Sequence, residues 1–150
     1  MKKTMLLAVI FVVLGAICGN YLYQKAPDSI SVFQEDNAYY FLQEGVYSSK
    51  EIMQENAGDL TNKLTILEDN KYYVYVGITK TRENAEKIQK IYKDMGYQTY
   101  IKEMKLDNEE FSNNVVQFDL LVKESDSADD ILTIEEVVLA NYEELIGTGM

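Results

Sequence analysis

The stretch YVYVGITKTRENAEKIQKIYKDMGYQTYI, residues 73–101, indicates the fold because it carries the signals of a strand, a turn, a helix and a second strand in unbroken order. Valine and tyrosine alternate at its start, and a period of two places valines on one sheet face and tyrosines on the other. Thr81 is a suitable helix N-cap, and Gly96 stands where a left-handed C-terminal residue is expected. The stretch predicts a β–α–β unit in which Gly77 ends the first strand and residues 98–103 form the second.

A weaker copy of this pattern precedes it. Residues 39–60 give an aromatic strand, a glycine, a short polar turn and apolar positions at helical spacing. Two such halves predict an α+β domain with one small sheet and two helices on one of its faces.

Residues 37–104 resemble the SPOR domain, a peptidoglycan-binding module named from sporulation-related repeats. The segment QEGVYS, residues 43–48, matches the family's Gln-x-Gly-x-aromatic signature, and residues 76–97 match its second half. The resemblance implies a βαββαβ sheet of the ferredoxin or RNP type, with both helices on one face. It also implies an open face that holds glycan strands stripped of their stem peptides. We place this SPOR-like domain at residues 37–105.

The aromatic residues of the sheet supply a candidate glycan site. If Leu42, Val74 and Val76 point at the helices, a period of two sends the intervening side chains to the open face. Exposed rings there can stack on sugar rings, and a glutamine amide can both donate to and accept from sugar groups. The predicted glycan-binding residues are Tyr39, Phe41, Gln43, Ser48, Tyr73 and Tyr75. By resemblance, Gln43 is the signature glutamine and Ser48 the small polar residue after the strand.

Two alternatives stay open for these residues. Gln43 could instead hydrogen-bond its own strand edge, and the tyrosines could be buried under the C-terminal part of the chain. Glu44 departs from the apolar residue that is usual at its position in the family.

Residues 4–23 contain no charge and follow two lysines, which predicts a transmembrane anchor or a signal peptide. The positive start favours a cytoplasmic N-terminus and an uncleaved single-pass anchor over residues 1–23, with the domain outside the cytoplasm at the cell membrane. Ile17 before Cys18 disfavours a lipoprotein site, so Cys18 is interpreted as a buried apolar side chain. Residues 24–36 hold the chain's proline and form a linker.

Residues 106–150 lie beyond the resemblance and predict a helical hairpin. Apolar side chains recur at helical spacing in residues 108–123 and again in 128–146, with a short polar loop between them. Such stripes are expected to pack against each other, against the domain, or against a partner. The hairpin's carboxylates are interpreted as a solvated outer face.

Composition excludes several function classes. A formal net charge of −11 argues against nucleic acid, and the lack of histidine removes the usual general base and the commonest zinc ligand. The adjacent carboxylate pairs occupy neighbouring helical positions, which do not face each other. These pairs are Glu109 and Glu110, Asp129 and Asp130, Glu135 and Glu136, and Glu143 and Glu144. We therefore predict no catalytic residues, no metal site and no cofactor.

The sequence thus favours a noncatalytic, membrane-tethered module that binds peptidoglycan at a division or sporulation septum. Its expected partners are glycan strands and, through residues 4–23, the membrane. The alternative is a structural adaptor that binds a division or spore-formation protein through its sheet face or its C-terminal hairpin. A wall-hydrolysing enzyme is disfavoured because no convincing carboxylate pair is available.

Overall fold

A computed structural model describes residues 37–148. The predicted anchor and linker lie outside these residues. Within the described part of the chain, no helix has the length and apolar character needed to cross a membrane.

Strands and helices follow the predicted βαββαβ order, and two further helices complete the fold. The strands are β1 (Ala38–Tyr47), β2 (Leu64–Glu68), β3 (Lys71–Thr79) and β4 (Tyr100–Lys105). The helices are α1 (Lys50–Ala57), α2 (Arg82–Asp94), α3 (Glu109–Glu124) and α4 (Ala128–Thr148). This arrangement confirms the α+β class and the helical character of the C-terminal region.

The four strands form one antiparallel sheet in the order β2-β3-β1-β4. The pairing of β1 with β3 shifts twice, between Leu42 and Gln43 and between Gln43 and Gly45. Because β3 continues to Thr79, Gly77 lies inside the strand, and the prediction that it ends the strand was wrong. A Cβ on Gly77 would lie 3.1 Å from Leu42 Cδ1, so this position favours glycine for close packing.

Both ends of α2 have the predicted caps. The Thr81 hydroxyl accepts a hydrogen bond from the Asn84 N–H at 3.3 Å, which satisfies one of the unpaired donors of the first turn. At the other end Gly96 takes a φ of +93°, and the Tyr97 N–H donates to the Tyr92 carbonyl at 2.9 Å. This is a Schellman ending, which needs a left-handed residue after the helix.

Helices α1 and α2 pack on the sheet face that carries Leu42 and Val74. Val74 is directly opposite Thr65, whose hydroxyl contacts Met53 Sδ of α1 at 3.7 Å. Leu42 is opposite Gly77, beside Ile88 of α2. Directly opposed residues share a face, so the assignment of Leu42 and Val74 to the helix side is confirmed.

The α3–α4 hairpin covers much of the opposite face, which we had expected to be open. Tyr142 of α4 meets Phe41 edge-on with ring centroids 5.2 Å apart, and Phe111 of α3 lies 5.5 Å from Tyr39. Phe111 and Tyr142 also contact each other at 5.4 Å. The prediction of an open face was wrong because two apolar helical stripes and an aromatic sheet face both lose contact with water when they pack together.

Candidate functional site

The structure separates the predicted glycan-binding residues into two groups. Tyr39 and Phe41 are fully buried, and Tyr75 is 4% exposed. Gln43 and Tyr73 are half-buried, and Ser48 is exposed. The expected exposure of the first three was wrong because α3 and α4 lie over them. For Tyr39 and Tyr75, the structure instead agrees with the alternative of burial under the C-terminal region.

Part of the same face remains accessible at the end of β1 nearest its signature residues. Gln43 is directly opposite Tyr75 on β3 and Tyr100 on β4, and Lys102 is opposite Phe41. These pairings place Gln43, Tyr100 and Lys102 on the face that carries Phe41. Tyr73 follows two residues from Tyr75 and shares that face. We call Gln43, Tyr73, Tyr100 and Lys102 the open strip.

Two strands contribute the outer members of the open strip. Tyr100 is 57% exposed, which is high for an aromatic side chain. The Lys102 ammonium reaches across β1 and lies 5.8 Å from the centroid of the Tyr73 ring, within cation–π range. Tyr73 and Tyr100 therefore lie on the two strands that flank β1, about two strand spacings or roughly 10 Å apart across the sheet, with Tyr100 opposite Gln43 and Tyr73 opposite Val46.

Sequence reasoning did not identify Tyr100 and Lys102 as site residues. The signal was present, because Tyr100 and Lys102 alternate with Thr99 and Ile101 in the last predicted strand. It could not be used without knowing that β4 pairs with β1 and places Tyr100 opposite Gln43.

Glu44, the unusual residue of the signature, accepts a hydrogen bond on the other side of the sheet. The Tyr47 hydroxyl donates to Glu44 Oε2 at 2.8 Å. Tyr47 is opposite Tyr72, the neighbour of Tyr73, and so points away from the open strip. Burial, together with the Glu44 carboxylate, raises the pKa of Tyr47 to about 12.

A second group of polar residues, missed by sequence analysis, lies inside the interface between the hairpin and the sheet. β2 reaches only as far as Tyr75 along β3, so the later part of that edge has no strand beside it. Glu135 Oε2 accepts from the Ile78 N–H at 2.9 Å, and Asp119 Oδ2 accepts from the Lys80 N–H at 2.6 Å. The two carboxylates thus replace strand carbonyls as acceptors.

Burial changes the ionisation of both groups. Asp119 is 6% exposed, and burial raises the pKa of its carboxyl to about 7 despite hydrogen bonds from Lys80 and Asn84. Glu135 is fully buried, and burial raises its pKa well above the usual range, with the nearby Asp119 charge acting in the same direction. The prediction that Glu135 belongs to a solvated outer face was wrong.

Helical spacing could have revealed these two residues. Asp119 lies four residues after Val115, and Glu135 lies four after Ile131, so each falls on its helix's buried stripe. Their hydrogen bonds to β3 give them a structural role, because an unpaired buried N–H is costly. Among residues 37–148, no cluster of three or more acidic, cysteine or histidine side chains is placed to hold a metal ion.

Comparisons with known proteins give little information on function. No family model matches the chain, and no curated protein matches it. A similar solved structure is the solution structure of the peptidoglycan-binding domain of the B. subtilis cell wall lytic enzyme CwlC, at 19% identity and a TM-score of 0.40. The match covers 45% of this chain and 91% of that one. Both identity and TM-score are too low to carry that protein's function over to this chain.

Proposed function

We propose that this chain is a noncatalytic peptidoglycan-binding protein that holds denuded glycan on the open strip. The observation that carries the proposal is the position of Gln43, the signature glutamine, on the strand between the exposed Tyr100 of β4 and the half-buried Tyr73 of β3. Aromatic rings stack on the apolar faces of sugars, and the amide between them can bond hydroxyl and acetamido groups.

The hairpin limits where glycan binds. Tyr39, Phe41 and Tyr75 lie beneath α3 and α4. Glycan can therefore contact these three residues only if the hairpin dissociates from the sheet. In the packed state Phe41 and Tyr75 lie beside the strip on the same face and contact each other edge-on, with ring centroids 5.4 Å apart. Ser48, exposed just beyond β1, lies outside the strip's paired strands.

The cellular setting of the proposal rests on the sequence. Residues 4–23 anchor the chain in the cell membrane as a single span, and the domain lies outside the cytoplasm. Such a protein accumulates where stem peptides have been removed from glycan, most naturally at a division or sporulation septum. Its activity is affinity for glycan rather than catalysis.

Cosedimentation with purified sacculi tests this proposal. The full chain in mild detergent is mixed with untreated sacculi and with sacculi whose stem peptides an amidase has removed. We expect stronger pelleting with the treated wall, and loss of pelleting in the Gln43→Ala and Tyr100→Ala double variant. Gln54→Ala, on the exposed side of α1, is the matched control and should bind as the natural chain does. Equal pelleting of the double variant would contradict the assigned site.

A second candidate function is a structural adaptor for a division or spore-formation protein. The observation that favours it is the hairpin itself, which covers the aromatic face and carries a strong negative charge. Residues 109–148 hold 11 acidic residues and a single basic one, and all of the acidic residues except Asp119 and Glu135 are exposed, so the outer face of the hairpin suits a basic partner surface. Failure of the natural chain to pellet with either wall preparation would favour this function.

A further inference from the structure

Lys102 of β4 gives the open strip a positive charge. The Lys102 side chain is exposed, and its ammonium lies 5.8 Å from the Tyr73 ring centroid. In the part of the chain that the structure describes, the ion pairs within 4.0 Å join Arg82 to Glu86 and Lys90 to Asp94. Lys102 therefore has no carboxylate partner among those residues.

Among residues 37–148, the acidic residues nearest in sequence and register form no ion pair with Lys102. Glu103 is directly opposite Tyr40 and so points to the other face of the sheet. Glu44 accepts the Tyr47 hydroxyl on that other face. Glu68 shares the face of the strip but lies on β2, opposite Lys71, and no ion pair within 4.0 Å joins it to Lys102.

This geometry fits a ligand that has a sugar ring for the tyrosines and a carboxylate for the lysine. A ring stacked on Tyr73 carries its substituents toward the ammonium that lies over the same tyrosine. When a stem peptide is cut from N-acetylmuramic acid by an amidase, the lactyl group that held it is left as a free carboxylate. An N-acetylglucosamine polymer has the same ring system and no such charge.

We propose that Lys102 binds the free carboxylate of an amino-sugar glycan, so that the open strip prefers carboxylate-bearing glycan over the neutral polymer. This inference rests on the proposed glycan-binding function. An ammonium is a compact point charge, and a solvent-exposed pair of this kind gives a modest gain that falls with salt. The expected preference is about fivefold in Kd at low ionic strength.

The test compares two soluble tetrasaccharides by isothermal titration calorimetry on the full chain in mild detergent. One alternates N-acetylglucosamine with N-acetylmuramic acid whose lactyl carboxylate is free, and the other contains N-acetylglucosamine alone. The variant is Lys102→Gln. The matched control is Lys105→Gln, since Lys105 is exposed on the same strand but opposite Ala38 on the other face.

We expect the natural chain and Lys105→Gln to prefer the carboxylate-bearing tetrasaccharide by about fivefold, with the preference shrinking as salt is added. Lys102→Gln should bind both tetrasaccharides with nearly equal affinity. Equal binding by the natural chain, or a preference that survives in Lys102→Gln, would overturn this inference and leave the glycan-binding function standing. Absence of binding to both tetrasaccharides and to sacculi would overturn the proposed function and the inference together.

Discussion

The Glu135 carboxylate of α4 accepts a hydrogen bond from the backbone N–H of Ile78 on β3, with 2.9 Å between Oε2 and N. This contact joins the C-terminal hairpin to the edge of the sheet at a place that β2 does not reach. Asp119 of α3 repeats the contact with the Lys80 N–H. Two acidic side chains thus complete the edge of β3, and the hairpin that carries them covers the aromatic face beside it.

The first prediction concerns pH. In the unfolded chain Asp119 loses its proton near 3.8, whereas in the folded protein its pKa is about 7. Between these values the folded state holds a proton that the unfolded state releases, so the free energy of unfolding falls as pH rises, by up to about 1.4 kcal/mol per pH unit for one carboxyl. The raised pKa of Glu135 acts in the same direction.

Amide substitutions remove this dependence. We expect Asp119→Asn and Glu135→Gln to flatten the fall in unfolding free energy between pH 5 and pH 7, because an amide oxygen still accepts the β3 N–H without a charge. Urea unfolding at several pH values measures the effect. Glu136→Gln, an exposed neighbour, is the control and should follow the natural chain. A slope that neither substitution changes would contradict the assigned burial of these groups.

The second prediction concerns the ring cluster beneath the hairpin. Tyr142→Ala should reduce the free energy of unfolding by about 3 kcal/mol, because it removes a ring that contacts both Phe41 and Phe111 and leaves a cavity. Tyr142→Phe keeps the ring and should change the stability by less than about 1 kcal/mol. Chemical denaturation measures both. Similar losses for the two variants would show that the hydroxyl, and not the ring contacts, stabilises the hairpin.

The third prediction distinguishes a residue of the sheet face that stabilises the fold, Tyr75, from one that binds glycan, Tyr100. Tyr75 is 4% exposed, so Tyr75→Ala should cost about 3 kcal/mol in stability. Tyr100 is 57% exposed, so Tyr100→Ala should cost less than about 1 kcal/mol while it weakens glycan binding. Thermal unfolding and sacculus pelleting, measured on both variants, test this division. A stable Tyr75→Ala variant would contradict the packing of the hairpin over Tyr75.

The fourth prediction uses two glycines whose added Cβ would meet nothing within 4 Å. Gly96 has a φ of +93°, so Gly96→Ala should cost about 1 kcal/mol through backbone strain alone. Gly147 lies in the last turn of α4, where alanine should be neutral or stabilising by up to about 1 kcal/mol. Equal effects of the two substitutions on urea midpoints would be inconsistent with the left-handed ending of α2.

Local signals were sufficient for much of the fold. The Thr81 cap, the Gly96 ending and the alternation of Val74 with its tyrosine neighbours are decided by residues close together in the chain, so they could be read directly. The end of β3 could not be predicted in this way, because Gly77 is part of the strand through its pairing with Leu42 of β1. Strand pairing over that distance leaves no local pattern.

The candidate site was predicted less completely than the fold. The period of two correctly placed Tyr39, Phe41 and Tyr75 on the face away from α1 and α2, but it contains no information about what covers that face. Likewise, Glu135 and Glu136 are adjacent in the sequence, which suggested that both carboxylates are solvated. Adjacent helical positions differ by about 100°, however, and only Glu136 faces water.

The sequence by itself determined the order of the elements and the face on which most strand residues lie, because strand and helix periods are properties of the local backbone. Only the tertiary structure decided which part of the aromatic face stays accessible. The α3–α4 hairpin buries its apolar stripes against Phe41 and Tyr39, and two buried carboxylates complete the β3 edge at that interface. What remains is the open strip around Gln43, whose members come from three strands and meet only when the sheet forms.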